Sequence, residues 1–215
     1  MSRFIYKVPI DDVKYRKLNK DKSINHYFGV KYVGRCVKIF NDYYLSTIKV
    51  EKDGWERYYG QNFGYQKLGY VMGKIQDKCY SYGLDDVEIK KYILHRVIGQ
   101  TWNGIMNEEV VISELNRSFP KCTFTKTTFE MDHDYCIDWE MFYKGNLLLG
   151  IQIKPSSYKY MSTPYQLRAK ENHKLKNKSY SEQYAPYVYA YYKDGKIDDK
   201  DELINKINTI LYTKT

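Results

Sequence analysis

Residues 138–154 have the sequence DWEMFYKGNLLLGIQIK, and this stretch predicts a β-hairpin. The segment Lys144-Gly145-Asn146 is a turn signal, because glycine and asparagine readily adopt the backbone angles that tight hairpin turns require. Runs rich in aromatic and branched aliphatic residues flank this segment on both sides, which is typical of strands. We therefore expect two antiparallel strands, at residues 135–143 and 147–154.

Alternation along the two strands predicts which side chains share a face of the sheet. Leucine and isoleucine occupy every second position of the second strand and would form an apolar face: Leu147, Leu149, Ile151 and Ile153. Gln152 and Lys154 then point to the opposite face. On the first strand, Asp138 alternates with apolar neighbours. Strand pairing is therefore expected to bring Asp138, Gln152 and Lys154 together at one end of the hairpin.

These three side chains have the chemistry needed to hydrolyse a phosphodiester bond. The Asp138 carboxylate is an oxygen ligand of the kind that Mg²⁺ prefers, and the Gln152 amide and the backbone carbonyl of Ile153 would add neutral oxygens. Lys154 would orient the attacking water and stabilise the charge that develops on the phosphate.

A helix predicted upstream of the hairpin, at residues 103–118, contributes a second acid. Its apolar residues have helical spacing: Ile105, Val111, Ile112 and Leu115. Glu108 falls inside this apolar stripe, so we expect it to face the sheet and to join Asp138 as a metal ligand. Glu109 is the alternate helix acid, because a shift of one residue in the stripe would exchange the two positions.

The rest of the second half predicts an α/β fold with a central mixed β-sheet flanked by helices. Beyond the elements already described, we expect a strand at 122–129, a basic helix at 165–177, an aromatic strand at 187–192 and a last amphipathic helix near the C-terminus. The resulting order is one helix, three strands, a helix, a strand and a helix.

The first hundred residues predict an N-terminal α+β extension of this core. Short strands or irregular structure are expected within 27–50, and helices at 65–80 and from Asp85 or Asp86 to Gly99. We expect a single domain, residues 1–215, in which 101–215 form the catalytic core and 1–100 serve recognition and dimerisation.

The order of the candidate site residues resembles the PD-(D/E)xK superfamily of restriction-endonuclease-like nucleases. That pattern has a glutamate on a helix, an acid on one strand and an acid-x-Lys motif on the next strand. Glu108, Asp138 and Gln152-Ile153-Lys154 follow this order, and the resemblance spans residues 100–193. Ile137 stands where the pattern has a proline, and Gln152 replaces an acid, which removes a negative charge from the metal site.

Within this superfamily, the chain looks most like type II restriction enzymes. The segments 101–109 and 150–155 are similar to the MjaI-type group. The resemblance implies a restriction-endonuclease-like core and Mg²⁺-dependent, sequence-specific double-strand cleavage of DNA.

The composition also favours a polyanionic partner. The 35 Lys and Arg residues outnumber the 26 Asp and Glu residues, which gives a formal charge of +9, and basic surfaces attract phosphates. One basic segment is expected to lie along the DNA backbone through Lys159, Arg168, Lys170, Lys174, Lys176 and Lys178. Double-stranded DNA is thus the expected partner, and we expect a homodimer because a palindromic site matches two-fold symmetry.

No apolar run reaches the roughly 18–20 residues needed to cross a bilayer, and the N-terminus lacks the pattern of a signal peptide. We therefore expect a cytoplasmic protein with no membrane partner. The four cysteines form no CxxC pair, so we expect them to be reduced core residues.

Several alternatives remain open at the level of sequence. The chain could be a non-catalytic DNA-binding module that has lost catalysis through Gln152, or a structure-specific repair nuclease or resolvase. The segment Asp132-His133-Asp134 suggests a small metal cluster, although a polar loop before a strand is the simpler interpretation. His133 as the general base of an HNH-type nuclease lacks the partner Asn/His pair.

Overall fold

The computed structural model describes residues 10–214, and the chain divides into two compact units between Ile105 and Met106. The boundary lies within one long helix, α8 (Gln100–Ser118). In the described part of the chain, no helix is long and apolar enough to span a membrane.

The described part of the first unit consists of helices. These are α1 (Asp12–Lys20), α2 (Lys22–Asn25), α3 (Val30–Val33), α4 (Cys36–Ser46), α5 (Lys52–Phe63), α6 (Tyr65–Ser81) and α7 (Asp86–Leu94). The helices predicted at 65–80 and after Asp85 are confirmed, and Asp85 caps α7 in a capping box with Glu88. A π-helical turn, His95–Gly99, joins α7 directly to α8.

The strands predicted within 27–50 are wrong, because this region contains α3 and α4. Its aromatic residues serve helix packing instead of a pleated surface. Phe40 on α4 is fully buried, with its ring centroid 4.9 Å from that of Trp55 on α5. The Trp55 indole nitrogen donates to the carbonyl of Ile98 at 3.3 Å. Tertiary packing of this kind overrides the strand preference of aromatic and β-branched residues.

The second unit contains a five-stranded mixed sheet, which confirms the predicted α/β class. Its strands are β1 (Cys122–Lys126), β2 (Trp139–Tyr143), β3 (Asn146–Pro155), β4 (Tyr187–Lys193) and β5 (Lys196–Ile197), in the spatial order of their numbers. The β3–β4 pair is parallel and the other three pairs are antiparallel. The flanking helices are α8, α9 (Phe129–Tyr135), α10 (Pro164–Gln183) and α11 (Lys200–Lys214).

Helix α9 shortens two of the predicted strands. Thr128 begins it by accepting a hydrogen bond from the Met131 amide, and Cys136 ends it in the left-handed region with φ of 55°. The predicted strands at 122–129 and 135–143 therefore stop at Lys126 and start at Trp139. Asp132 consequently lies on a helix, where the sequence predicted a polar loop.

Apolar side chains cover both faces of the sheet. The larger cluster joins residues of the sheet to helices α8 and α11: Met141, Leu149, Ile151, Ile153, Val111, Leu115, Leu203 and Ile207. The opposite cluster contains Ile137 and Tyr180, with Leu147 packed against it. A register shift between Met141 and Phe142 moves Leu147 away from the face that it was predicted to share with Leu149.

Gly150 allows α10 to lie close to the centre of the sheet. A Cβ atom added at Gly150 would stand 2.6 Å from the Tyr180 ring and 3.0 Å from Ile137. The Tyr180 hydroxyl donates to Glu140 at 2.8 Å, which links α10 to β2. Helix α10 is therefore held against the strand that carries Gln152 and Lys154.

Candidate active site

Asp138 lies immediately before β2 and is fixed against β3. Its Oδ2 accepts a hydrogen bond from the Ile153 amide at 2.6 Å, and its own amide donates to the carbonyl of Ile151 at 3.0 Å. The side chain is 8% exposed. Asp138 therefore lies beside the 151–154 segment, as the sequence predicted. The hydrogen bond from one backbone amide stabilises its carboxylate in this buried position.

Gln152 is fully buried at the centre of the site. Its Oε1 accepts a hydrogen bond from Nδ2 of Asn177 on α10 at 2.9 Å. Gln152 Nε2 and Asn177 Oδ1 find no hydrogen-bond partner within residues 10–213. The proposed role of Gln152 as a metal ligand stays a prediction, and its amide oxygen already serves as an acceptor for Asn177.

Lys154 carries its positive charge among carboxylates. Burial alone would lower the pKa of this ammonium group, but the charges of Asp138 and Asp132 outweigh burial and raise the pKa above its usual value. Lys154 is therefore protonated at neutral pH, which makes it a hydrogen-bond donor and a positive charge in the site.

Glu108 is the helix acid that lies near Asp138. Burial first, and then the charge of Asp138, raise the pKa of Glu108 to about 7, although Lys126 opposes this shift. Lys126 on β1 donates to Glu108 Oε2 at 2.6 Å. The alternate acid, Glu109, has a buried Oε1 with no hydrogen-bond partner in the described part of the chain. The geometry thus groups Glu108 with Asp138.

Sequence reasoning missed two charged members of this group, Lys126 and Asp132. Burial and the charge of Asp138 raise the pKa of Asp132 to about 6. The carboxyl group of Asp132 therefore interacts electrostatically with the other charged groups of the site. A signal for Lys126 was present in the alternation of β1, because Lys126 follows Cys122 and Phe124 on a face that packs into the core. A lysine at the end of an apolar face is an unusual position for a solvated charge.

Helix α10 brings His173 to the same region. The Tyr158 hydroxyl and His173 Nδ1 are 3.1 Å apart, and the two rings stack with centroids 5.9 Å apart. Burial, followed by the charge of Lys154, lowers the pKa of His173. His133, by contrast, is exposed. Its Nδ1 lies 2.7 Å from Asp134 Oδ1, and its ring stacks on that of Phe129.

The basic segment predicted to contact DNA divides into two groups. Arg168 and Lys174 are exposed on α10. The other four make contacts within the protein: Lys159 with Asp198 and Asp199, Lys170 with the carbonyl of Lys159, Lys176 with the carbonyl of His133, and Lys178 with Glu182. Lys178 is nevertheless exposed, whereas Lys159, Lys170 and Lys176 are partly buried and would have to leave these contacts to bind phosphates directly.

The donor set fits a hard divalent cation. Glu108, Asp132 and Asp138 place three carboxyl groups beside two lysines, Lys126 and Lys154. The raised pKa values of Glu108 and Asp132 come first from burial and then from repulsion by the charge of Asp138. A cation would relieve this repulsion through the oxygen ligands that Mg²⁺ prefers. No preassembled group of three His, Cys, Asp or Glu ligands exists among the described residues, so a cation would have to draw the carboxylates together.

Comparison with known proteins agrees with the sequence resemblance. The family model of the MjaI restriction endonuclease matches residues 18–208, which include every residue of the candidate site. Searches among curated proteins and among solved structures returned no match. Because the family model covers most of the chain, this protein belongs to the MjaI restriction endonuclease family and is a nuclease that acts on DNA.

Proposed function

We propose that this restriction endonuclease makes Mg²⁺-dependent, sequence-specific double-strand cuts, with Asp138, Glu108 and Lys154 at its cutting centre. The proposal is supported by the electrostatic interactions among these three side chains, which lie in the same compact unit. The pKa of Glu108 responds to Asp138, and the pKa of Lys154 responds to both carboxyl groups. Perturbed ionisable groups of this kind are typical of catalytic sites.

Asp138 and Glu108 would hold the cation, with the backbone carbonyl of Ile153 as a further oxygen. Two carboxylates suffice for Mg²⁺, because this ion keeps several of its waters. The bound ion would act as a Lewis acid on the scissile phosphate. The Ile153 amide fixes one oxygen of Asp138, so the carboxylate is held in place before a cation arrives.

Lys154 would act as a donor instead of a base. Since its pKa is raised, the ammonium group keeps its proton at neutral pH and cannot remove one from water. It can orient the water through a hydrogen bond and stabilise the negative charge that develops on the phosphate.

DNA binding would use the excess of positive charge on the chain. Arg168 and Lys174 are exposed on α10, the helix that packs against β3 beside the candidate site. Phosphate contacts of this kind would position the duplex without reading its sequence. A homodimer would present two such centres to the two strands of a palindromic site.

The proposal is tested by incubating plasmid DNA with the purified protein and Mg²⁺. Asp138→Asn keeps an acceptor for the Ile153 amide but removes the charge, and Lys154→Ala removes the donor. Asp134→Asn and Lys193→Ala alter exposed residues and serve as matched controls. We expect discrete bands from the wild type and the controls and their loss in both site variants. Equal cutting by the site variants would overturn the assignment.

A further inference from the structure

We propose that Lys126 is a resident counter-ion of the cutting centre, which occupies Glu108 in the metal-free protein and which a divalent cation must displace. This inference rests on the proposed function, because it assigns Glu108 to the metal centre. Lys126 lies outside the acid-x-Lys motif and is a second lysine in the same site.

The contact between the two side chains is direct and shielded from solvent. Lys126 Nζ lies 2.6 Å from Glu108 Oε2, and the exposed fractions of the two side chains are 11% and 20%. An ammonium group and Mg²⁺ repel each other, and poor solvation strengthens that repulsion. A cation that binds Glu108 through Oε2 must therefore displace Lys126, and one that binds through Oε1 is opposed by the nearby ammonium charge.

The charge balance explains why the metal-free protein keeps a lysine here. The cluster contains three carboxyl groups, from Glu108, Asp132 and Asp138. Removing Lys126 would leave them with Lys154 as the neighbouring lysine that balances their negative charge. Buried carboxylates without compensation destabilise a fold or take up protons. Lys126 reduces both effects until a cation replaces it.

In the same position, Lys126 also lies near an aromatic ring. Its Nζ lies 5.3 Å from the centroid of the Trp139 ring, and Trp139 is its partner in the β1–β2 register. An ammonium group over an indole ring is stabilised by the ring electrons. The ring is therefore a neighbouring group that would still stabilise the ammonium group if a cation displaced it from Glu108.

The test measures cation affinity in the full-length protein without DNA. Tb³⁺ is a hard cation that takes oxygen ligands, and nearby Trp139 would sensitise its luminescence. Titrations are made well above the pKa of Glu108, so that its carboxyl group is ionised, and are repeated with Mg²⁺ as competitor. Lys126→Met removes the charge. Lys126→Gln also removes it but keeps a hydrogen-bond donor for Glu108, in case the methionine variant does not fold.

Two controls separate this role from general electrostatics. Lys126→Arg keeps the charge beside Glu108, and Lys121→Met removes an exposed charge just before β1. We expect Lys126→Met and Lys126→Gln to bind Tb³⁺ and Mg²⁺ at least about tenfold more tightly than the wild type, and both controls to stay near it.

The outcomes distinguish the two levels of inference. Unchanged or weaker binding by the neutral variants, with clear binding by the wild type, would overturn the counter-ion role and leave the metal centre intact. If neither the wild type nor any variant binds Tb³⁺ or Mg²⁺, the proposed metal centre fails, and the counter-ion role fails with it.

Discussion

Asn177 Nδ2 donates a hydrogen bond of 2.9 Å to Gln152 Oε1, and both side chains are fully buried. Helix α10 thereby supplies a hydrogen-bond donor to position 152 of β3. The PD-(D/E)xK pattern that the sequence resembles has an acid at this position. A carboxylate at position 152 would find the same donor already in place. The local surroundings of Gln152 are thus compatible with an acid, even though the residue itself is neutral.

The first prediction concerns Gln152→Glu. The new carboxylate should accept the hydrogen bond from Asn177 and add a negative charge beside Asp138. We expect Mg²⁺ affinity to rise about tenfold or more. In the absence of metal, the free energy of unfolding should fall by roughly 1–3 kcal/mol, because a fully buried carboxylate joins three carboxyl groups already in the site. Isothermal titration with Mg²⁺ and urea denaturation measure the two effects.

The matched control for this variant is Gln183→Glu, which adds the same charge at an exposed position of α10. It should change neither quantity noticeably. Metal affinity that is unchanged in Gln152→Glu would show that residue 152 lies outside the reach of the cation.

The second prediction concerns Asn177→Leu. This change leaves Gln152 Oε1 buried without its donor, so we expect the free energy of unfolding to fall by about 1–3 kcal/mol. Combined with Gln152→Glu, the loss should exceed the sum of the two single changes, because a buried charge then lacks its hydrogen bond. A double-mutant cycle by urea denaturation checks this coupling. Strict additivity would mean that Asn177 does not support residue 152.

Local sequence patterns predicted the frame of the site. The period of two in residues 147–154 identified β3, and helical spacing placed Glu108 on the side of α8 that faces the sheet. Both predictions rest on periodicity within one element, which a sequence shows directly. The resemblance to MjaI-type enzymes was confirmed by the family model.

Contacts between distant elements could not be predicted in the same way. The Lys126–Glu108 and Asn177–Gln152 pairs join residues that are 18 and 25 positions apart on different elements. Their formation depends on how helices dock on the sheet, which periodicity does not specify. The aromatic residues of 27–50 were assigned to strands because propensity alone cannot distinguish a pleated surface from helix packing.

The third prediction concerns Gly150→Ala. The added Cβ would meet Tyr180 at 2.6 Å and Ile137 at 3.0 Å, and neither neighbour can move without shifting α10 or the sheet. We expect the free energy of unfolding to fall by roughly 1–3 kcal/mol.

The control for this prediction is Gly104→Ala in α8, because its added Cβ meets nothing within 4 Å. That change should stabilise the protein by up to about 1 kcal/mol. Similar stabilities of the two variants in urea denaturation would contradict the close packing at Gly150.

The fourth prediction concerns the pH dependence of the metal-free protein. Folding raises the pKa of Glu108 from 4.5 to about 7, because burial and Asp138 disfavour its charged form. The folded state therefore binds a proton more tightly than the unfolded state between these values. Glu108 should consequently contribute a loss of stability as pH rises from about 4.5 to 7, and the raised pKa of Asp132 adds a loss in the lower part of this range, whereas the lowered pKa values of His95 and His173 contribute a gain.

Replacing Glu108 with glutamine removes its contribution, so the variant should lose less stability than the wild type between about pH 4.5 and 7. Added Mg²⁺ should also flatten the curve of the wild type at the upper end, because the cation favours both carboxylates in their charged form. Urea denaturation at a series of pH values, with and without Mg²⁺, measures these curves. A Glu108→Gln variant that loses as much stability as the wild type between pH 5 and 7 would contradict the raised pKa of Glu108, since His173 and His95 contribute equally to both proteins.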